Sequence, residues 1–307
     1  MKLSQMCYLP IWFLKNAVFG KHGPLQTVLF VTDHCNLRCK HCSEMGHACT
    51  TQKSFEQIER ELRDSFAMGS RFVDLEGGEP TLWQEGSRTI NDLIVLAKEI
   101  GFYSCTVTTN AQRDFSWVDA DLIWMSLDGV GKFHDLIRGD GAFEKLERNA
   151  ALFAQKRGAD TKGCVLGANM AVNALNMDCV ADTLEYVKNS PYISSIAVNF
   201  HTPYPGTEEL MICEEDRARL IDLVIDRKKR GYPVQNSVSG LKIMKQRGFK
   251  KYCWVSNFII TDGTRLRTCP GETLGICDDC GFCMAGEMYS VMHLKPDTLL
   301  AGMDLRF

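Results

Sequence analysis

The sequence lacks a surplus of charge of either sign: 35 Lys and Arg face 38 Asp and Glu, a formal net charge of -3. A nucleic-acid-binding domain ordinarily needs a basic face. There is also no basic run, zinc-finger spacing or RNP-like aromatic pattern, so nucleic acid is not an expected partner. Long hydrophobic runs are missing too. The most apolar opening stretch (Tyr8, Leu9, Ile11, Trp12, Phe13, Leu14) is interrupted by Pro10 and Lys15 and is too short to span a bilayer. No internal repeat, low-complexity tract or signal-peptide pattern is present, which points to the cytoplasm. There, thiols stay reduced, and clustered cysteines bind metal more often than they pair.

What is present is cysteine. The chain has 14 in 307 residues, within an otherwise ordinary composition of 45% hydrophobic and 24% charged residues. Cys35, Cys39 and Cys42 form one group; Cys253, Cys269, Cys277, Cys280 and Cys283 form another. Cys7, Cys105, Cys164, Cys179 and Cys213 are expected to be small buried hydrophobes. Cys49, seven residues beyond the first group, stays open between the two readings.

Between the groups, β-rich runs at 27–31, 71–75, 103–108, 122–126, 164–172 and 194–199 alternate with helical stretches. Phe55, Ile58, Leu62 and Phe66 fall on one helical face. Further helices are expected near 88–100, 142–156, 178–188 and 214–230. Strand then helix, about six times over, predicts an α/β fold of parallel strands with crossover helices. Periodicity does not decide between an open sheet and a barrel. In both, chemistry gathers at the C-terminal ends of the strands. Four strands run there into Cys35–Cys42, into Glu76-Gly77-Gly78-Glu79-Pro80, into Thr109-Asn110 and into Ser126-Leu127-Asp128. From Gly248 onward helical periodicity stops and glycines multiply, so residues 248–307 read as a loop-rich, cysteine-rich appendage needing a metal staple. The expected division is an apolar segment over 1–24, a core over 25–247 and the appendage over 248–307.

Thiolates suit iron–sulfur clusters, and a [4Fe-4S] cube takes four. Three at CxxxCxxC spacing leave one iron open for a ligand, as catalytic metal sites do. A zinc or disulfide loop is the competing reading of the motif alone.

Cys35-x3-Cys39-x2-Cys42, with the ring of His41 before the third cysteine, resembles the signature loop of the radical S-adenosylmethionine (SAM) superfamily. The resemblance implies a partial (β/α)6 barrel and a [4Fe-4S] cluster that chelates SAM. One electron then cleaves SAM to a 5′-deoxyadenosyl radical that abstracts hydrogen from substrate. Gly77-Gly78-Glu79-Pro80 is similar to the family's GGEP motif for the SAM amino group, its glycines letting the backbone approach a ligand. Ser126 and Asp128 look like the ribose-contacting strand end, and Thr109 and Asn110 like adenosyl-side contacts. Arg138, in His134-Asp135-x2-Arg138-Gly139, is placed to pair with the SAM carboxylate.

The C-terminal run is similar to a shortened SPASM or twitch region. That resemblance implies a second, auxiliary [4Fe-4S] cluster on Cys253, Cys269, Cys277 and Cys280, with Cys283 spare and structural zinc as the rival. It also implies a low-potential electron donor such as flavodoxin or ferredoxin. Small molecule, lipid and peptide stay open as substrates. The apolar segment, with Lys15 and Lys21, is expected either to pack on the barrel or to make weak contact with a membrane surface. The rival to an enzyme is a metal-stapled binding or scaffold protein without SAM chemistry.

Overall fold

A computed structural model describes residues 3–42, 51–157, 164–246 and 248–306; Cys49 lies outside them. Ten strands occur: β1 (Gln26–Thr32), β2 (Phe72–Gly77), β3 (Gln84–Glu85), β4 (Arg88–Thr89), β5 (Ser104–Thr109), β6 (Leu122–Ser126), β7 (Val165–Val172), β8 (Ser195–Phe200), β9 (Ser256–Ile259) and β10 (Arg265–Leu266). All but the small β3–β4 pair join one eight-stranded sheet in the order β10-β9-β1-β2-β5-β6-β7-β8. From β9 to β8 every neighbour is parallel; β10 alone is antiparallel. The expected α/β class and partial barrel are both present.

Helices form the outer layer: α1 (Leu3–Phe13), α2 (Phe55–Met68), α3 (Ile90–Ile100), α4 (Lys132–Arg138), α5 (Ala142–Arg157), α6 (Val180–Asn189), α7 (Glu214–Lys229) and α8 (Val238–Met244). Local sequence sets their ends. The Ser54 hydroxyl accepts from the Gln57 N–H at 3.2 Å to start α2, and Gly69, at φ +121°, ends it. Leu29, Val31, Val73, Leu75, Cys105, Val107, Ile123 and Met125 alternate along the strands and are fully buried under these helices. In parallel pairing, residues in register share a face, so the intervening positions line the inside of the curled sheet. They are polar. Gln26 donates to Asp74 and Thr106 donates to Asp74. Glu76 accepts from Thr108 at 3.4 Å, and Asn199 donates to Asn169 at 2.7 Å.

The C-terminal region differs from its sequence reading. It contains α9 (Pro270–Thr273), α10 (Cys283–Met292) and α11 (Pro296–Arg306). Gly286, which reads as loop punctuation, lies inside α10, where a Cβ would stand 2.4 Å from the Gly240 carbonyl oxygen of α8. It is a helix–helix contact. The region is also woven into the barrel: β9 extends the sheet beyond β1, and β9–β10 is a hairpin, with Gly263 (φ +91°) in its turn. At the opposite edge the Phe200 N–H of β8 donates to the Gly281 carbonyl at 2.8 Å.

Among the described residues no helix is long and apolar enough to cross a membrane. Cys105, Cys164 and Cys179 are buried as expected, whereas Cys7 and Cys213 are exposed. The Cys213 thiol caps α7, accepting from the Asp216 N–H at 3.4 Å.

Candidate active site

The loop after β1 is laid over the loop after β2. Gly78 N–H donates to the Thr32 carbonyl and Glu79 N–H to the His34 carbonyl, each at 2.7 Å. This overlap requires both glycines. A Cβ on Gly77, which also has φ +140°, would lie 2.2 Å from the Thr32 oxygen; one on Gly78 would lie 2.4 Å from the His34 oxygen. Their smallness therefore admits the cysteine loop's own backbone. Pro80 follows, buried, at the head of a short 3-10 turn.

Glu79 is 1% exposed, and its carboxylate is taken up within the protein. Oε1 accepts from Thr81 N–H (3.1 Å), Thr81 Oγ1 (2.6 Å) and Thr109 Oγ1 (2.8 Å), and Oε2 from Asn110 N–H (2.7 Å). Burial raises its pKa, against those hydrogen bonds. Asn110 completes the link between strands β2 and β5 and the cysteine loop. Its Nδ2 donates to Asn36 Oδ1 at 2.7 Å and lies 3.8 Å from the Cys35 sulfur.

On the other side, Arg138 at the end of α4 donates through Nε to Asp128 Oδ2 at 2.6 Å and lies 3.8 Å from the Cys39 sulfur. The other oxygen of Asp128 accepts from the Ala171 N–H of β7 at 3.0 Å. Burial alone would raise the pKa of Asp128; Arg138, then the imidazoles of His41 and His134, win and hold it at about 2. The His41 ring stands 3.8 Å from the same carboxylate, and burial lowers its pKa to about 4. Ser126, half-buried at the end of β6, shares the polar inner face with Asn169, its register partner.

Asp128 and Arg138 thus form one buried ion pair against Cys39. Thr109, Asn110 and Glu79 form one network against Cys35. Cys39 is itself buried, and burial, against Arg138, pushes its thiol up to about 11. Such a thiol stays protonated unless a metal takes the proton's place. A soft, buried thiol set on a loop, beside a guanidinium and an amide that favour negative sulfur, fits iron–sulfur ligation.

The second group surrounds a pocket lined by Cys253, Cys269, Cys277 and Cys280, together with Lys251, Thr202 and Tyr204. Thr202 and Tyr204 belong to the turn after β8, so this pocket adjoins the same rim of the barrel. The Cys253 and Cys269 thiols interact directly, and sharing one proton between them, with burial, raises the pKa of Cys253. Cys283 is turned elsewhere: its buried thiol donates to the Val198 carbonyl at 2.6 Å. Among the described residues, no three His, Cys, Asp or Glu side chains converge as a ready-made site for a single metal ion.

Sequence reasoning missed the inward-facing residues. Glu76, half-buried and directly before the Gly77-Gly78 pair, has its pKa pushed up to about 7 by burial and then by Asp74. The alternations Asp74-Leu75-Glu76 and Thr106-Val107-Thr108 were the available signal.

Comparison with known proteins agrees with this geometry. A "Fe-coproporphyrin III synthase" of Methanosarcina barkeri is 25% identical over 237 residues, 71% of this chain and 56% of that protein. A "GTP 3',8-cyclase" of Haemophilus influenzae is 34% identical over 142 residues, 38% of this chain and 40% of that enzyme. The chain thus spans about half the length of these curated relatives. In three dimensions, Streptococcus suis SuiB bound to S-adenosylmethionine superposes with a TM-score of 0.65 at 18% identity, covering 90% of this chain and 67% of that one. A structure of anSMEcpe with bound AdoMet and the Kp18Cys peptide gives a TM-score of 0.62 at 17% identity, covering 90% and 81%. These likenesses concern the fold. Residues 29–187, just over half of the chain and the stretch from β1 to α6 that builds the first cysteine site, match the Radical SAM superfamily, and the chain belongs to that family.

Proposed function

We propose that the chain is a radical SAM enzyme acting on a polar substrate held inside the partial barrel. The observation that supports this best is the meeting of Cys35, Cys39 and Cys42 with the glycine loop of β2 and two charge networks on one rim. The three thiolates would hold the [4Fe-4S] cluster and leave one iron for SAM. Together the bound cofactors supply a 5′-deoxyadenosyl radical competent to take hydrogen from a substrate C–H bond.

The chain's own residues orient and enclose. The backbone over Gly77, Gly78, Glu79 and Pro80 would meet the SAM amino group, with Glu79 held rigid by Thr81, Thr109 and Asn110. Arg138, held in place by Asp128, would face the SAM carboxylate. Ser126 would meet the ribose, with Asp128 behind it. A free-standing scaffold role would leave these arrangements without a purpose.

The auxiliary site would be a second [4Fe-4S] cluster on Cys253, Cys269, Cys277 and Cys280, which line one pocket. Cys283 is spare in this reading because its thiol is committed to Val198. A flavodoxin- or ferredoxin-like donor would supply electrons. Glu76, Thr108, Ser126, Asn169 and Asn199 on the inner face favour a small polar molecule or a peptide over a hydrocarbon chain, because an apolar ligand would leave unused the hydrogen-bonding capacity these groups keep beyond their contacts with one another.

The test is anaerobic reconstitution and reduction of the Cys39→Ala variant with SAM. The parent is expected to form 5′-deoxyadenosine and the variant none. Undiminished 5′-deoxyadenosine from the variant would overturn the assignment.

A further inference from the structure

The opening segment turns two unlike faces to its surroundings. Tyr8, Trp12 and Asn16, spaced four residues apart, fasten one face to the barrel. The Tyr8 hydroxyl donates to the Gly69 carbonyl at 2.5 Å and the Trp12 indole N–H to the Gly23 carbonyl at 3.1 Å. The Asn16 amide donates to the Trp12 carbonyl at 2.8 Å and accepts from the Gly23 N–H. Trp12 also packs its ring 5.8 Å from that of Trp254. These attachments fix the rotation of α1 and of the π-helical turn Leu14–Val18 that continues it.

The side of the segment away from these anchors is exposed. Ile11, Leu14, Val18 and Phe19 are 48, 50, 63 and 73% exposed, and Phe19 is the most exposed large apolar side chain among the described residues. The burial of Trp12 and Asn16 accounts for the inner face; among the described residues nothing accounts for this ridge. Its charge is equally one-sided. No Asp or Glu precedes Asp33, although the chain has 38 acidic residues, while Lys2, Lys15 and Lys21 all fall in that stretch. Lys15 and Lys21 are exposed beside the ridge.

We propose that this face is a docking surface for an anionic lipid bilayer, lying in the plane of the interface. Four apolar side chains flanked by lysines, with no carboxylate among them, suit the boundary between acyl chains and negative headgroups. The contact is independent of the enzymatic reading, and it has an orientation. Its anchors, Gly23 and Gly69, lie just before the N-terminal ends of β1 and β2, whereas the cysteine loop lies at the C-terminal end of β1. The cofactor rim therefore faces away from the bilayer, and substrate would enter from the aqueous side.

The experiment is co-sedimentation of the reconstituted chain with vesicles of equal parts phosphatidylglycerol and phosphatidylcholine, and with phosphatidylcholine alone. Binding is expected on the anionic vesicles and about 10-fold weaker on the neutral ones. A Leu14→Ser/Phe19→Ser variant should bind the anionic vesicles at least about 10-fold more weakly, since two apolar side chains no longer enter the interface. Both positions are exposed, so circular dichroism and melting should match the parent. A parent that stays in the supernatant overturns the proposal, as does a variant that sediments equally well. So does sedimentation equilibrium showing a parent dimer that Phe19→Ser makes monomeric, because a second copy would then be what covers the ridge.

Discussion

The two cysteine groups are attached to the barrel by the same device, yet their surroundings differ. In each, a glycine lets a cysteine-bearing backbone lie against a strand end: Gly78 against His34, and Gly281 against Phe200, whose carbonyl oxygen would be 1.9 Å from a Cβ. Around the first group, buried polar residues far apart in sequence hold one another: Glu79 with Thr109 and Asn110, and Asp128 with Arg138 and Ala171. Around the second, Cys253 and Cys269 flank the hairpin β9–β10, and the segment of Cys280 to Cys283 is held through its backbone by Arg217, Thr202 and Asn199. The first site is enclosed by side-chain networks, whereas the second is fastened mainly at its backbone. A metal that binds only the folded state adds its binding free energy to stability, and the effect is largest where little else holds the segment.

The sharpest way to break this comparison is to empty each site in turn. Cys35/Cys39/Cys42→Ala should retain about four irons per chain, one [4Fe-4S] cluster, with a melting temperature near that of the parent. Cys253/Cys269/Cys277/Cys280→Ala should also retain about four irons but melt lower and lose protease resistance after Gly248. Iron analysis and calorimetry on both variants decide it. One zinc and no iron in the first variant would make the appendage a structural staple.

Asp128→Asn comes next. Removing one partner of a buried ion pair costs about 3–5 kcal/mol, and Arg138 would be the uncompensated charge. Because the folded pKa of Asp128 is held at about 2, below its ordinary value of 3.8, its stabilisation is present above pH 4 and fades as pH falls toward 2. The stability gap between parent and variant should therefore narrow on acidification, as read by denaturant titration. Loss of SAM affinity should accompany it in binding assays.

The glycine contacts sharpen the comparison further. Gly78→Ala and Gly281→Ala should each cost roughly 1–3 kcal/mol through overpacking, and each should lower iron occupancy chiefly at its own site. The smallest effect belongs to Glu76→Gln. Glu76 has a folded pKa of about 7, above its ordinary 4.5, so the folded state binds the proton more tightly and stability declines as pH rises between those values. The amide removes that decline: thermal melts of variant and parent should agree near pH 5, with the variant the more stable at pH 8.

The sequence made the rim legible because parallel strands deliver their C-terminal ends to one side by topology alone. It therefore located Cys35, Gly77, Thr109 and Ser126 together without any coordinate. It did not show what those residues touch. Gly77 and Gly78 read as room for a close backbone approach, and the backbone of residues 32–34 lies against them across some forty residues of sequence. The polar positions of the inner face were obscured because β1 reads as an apolar run; the register of Asp74 with Thr106 and of Ser126 with Asn169 brings them together. The helices α10 and α11 escaped for a different reason. Gly286 breaks a helical pattern in sequence but serves close packing against Gly240 in space. Cys283 could be called surplus by counting, whereas its reason, the Val198 carbonyl, is tertiary.

The pairing of β1 with β9 bears on how the protein is made. Asn257 of β9 hydrogen-bonds Thr27 of β1 across a separation of 230 residues. Translation at about 5–20 residues per second puts roughly 10–50 seconds between the emergence of one strand and the other. Over that interval the first strand to leave the ribosome has an unpaired edge, and such edges recruit foreign strands. The cysteine loop that follows it is out early and waits as long for its surroundings to close. Slow synthesis, chaperone supply and the timing of iron delivery should therefore govern the yield of active protein more than the stability of the finished fold does.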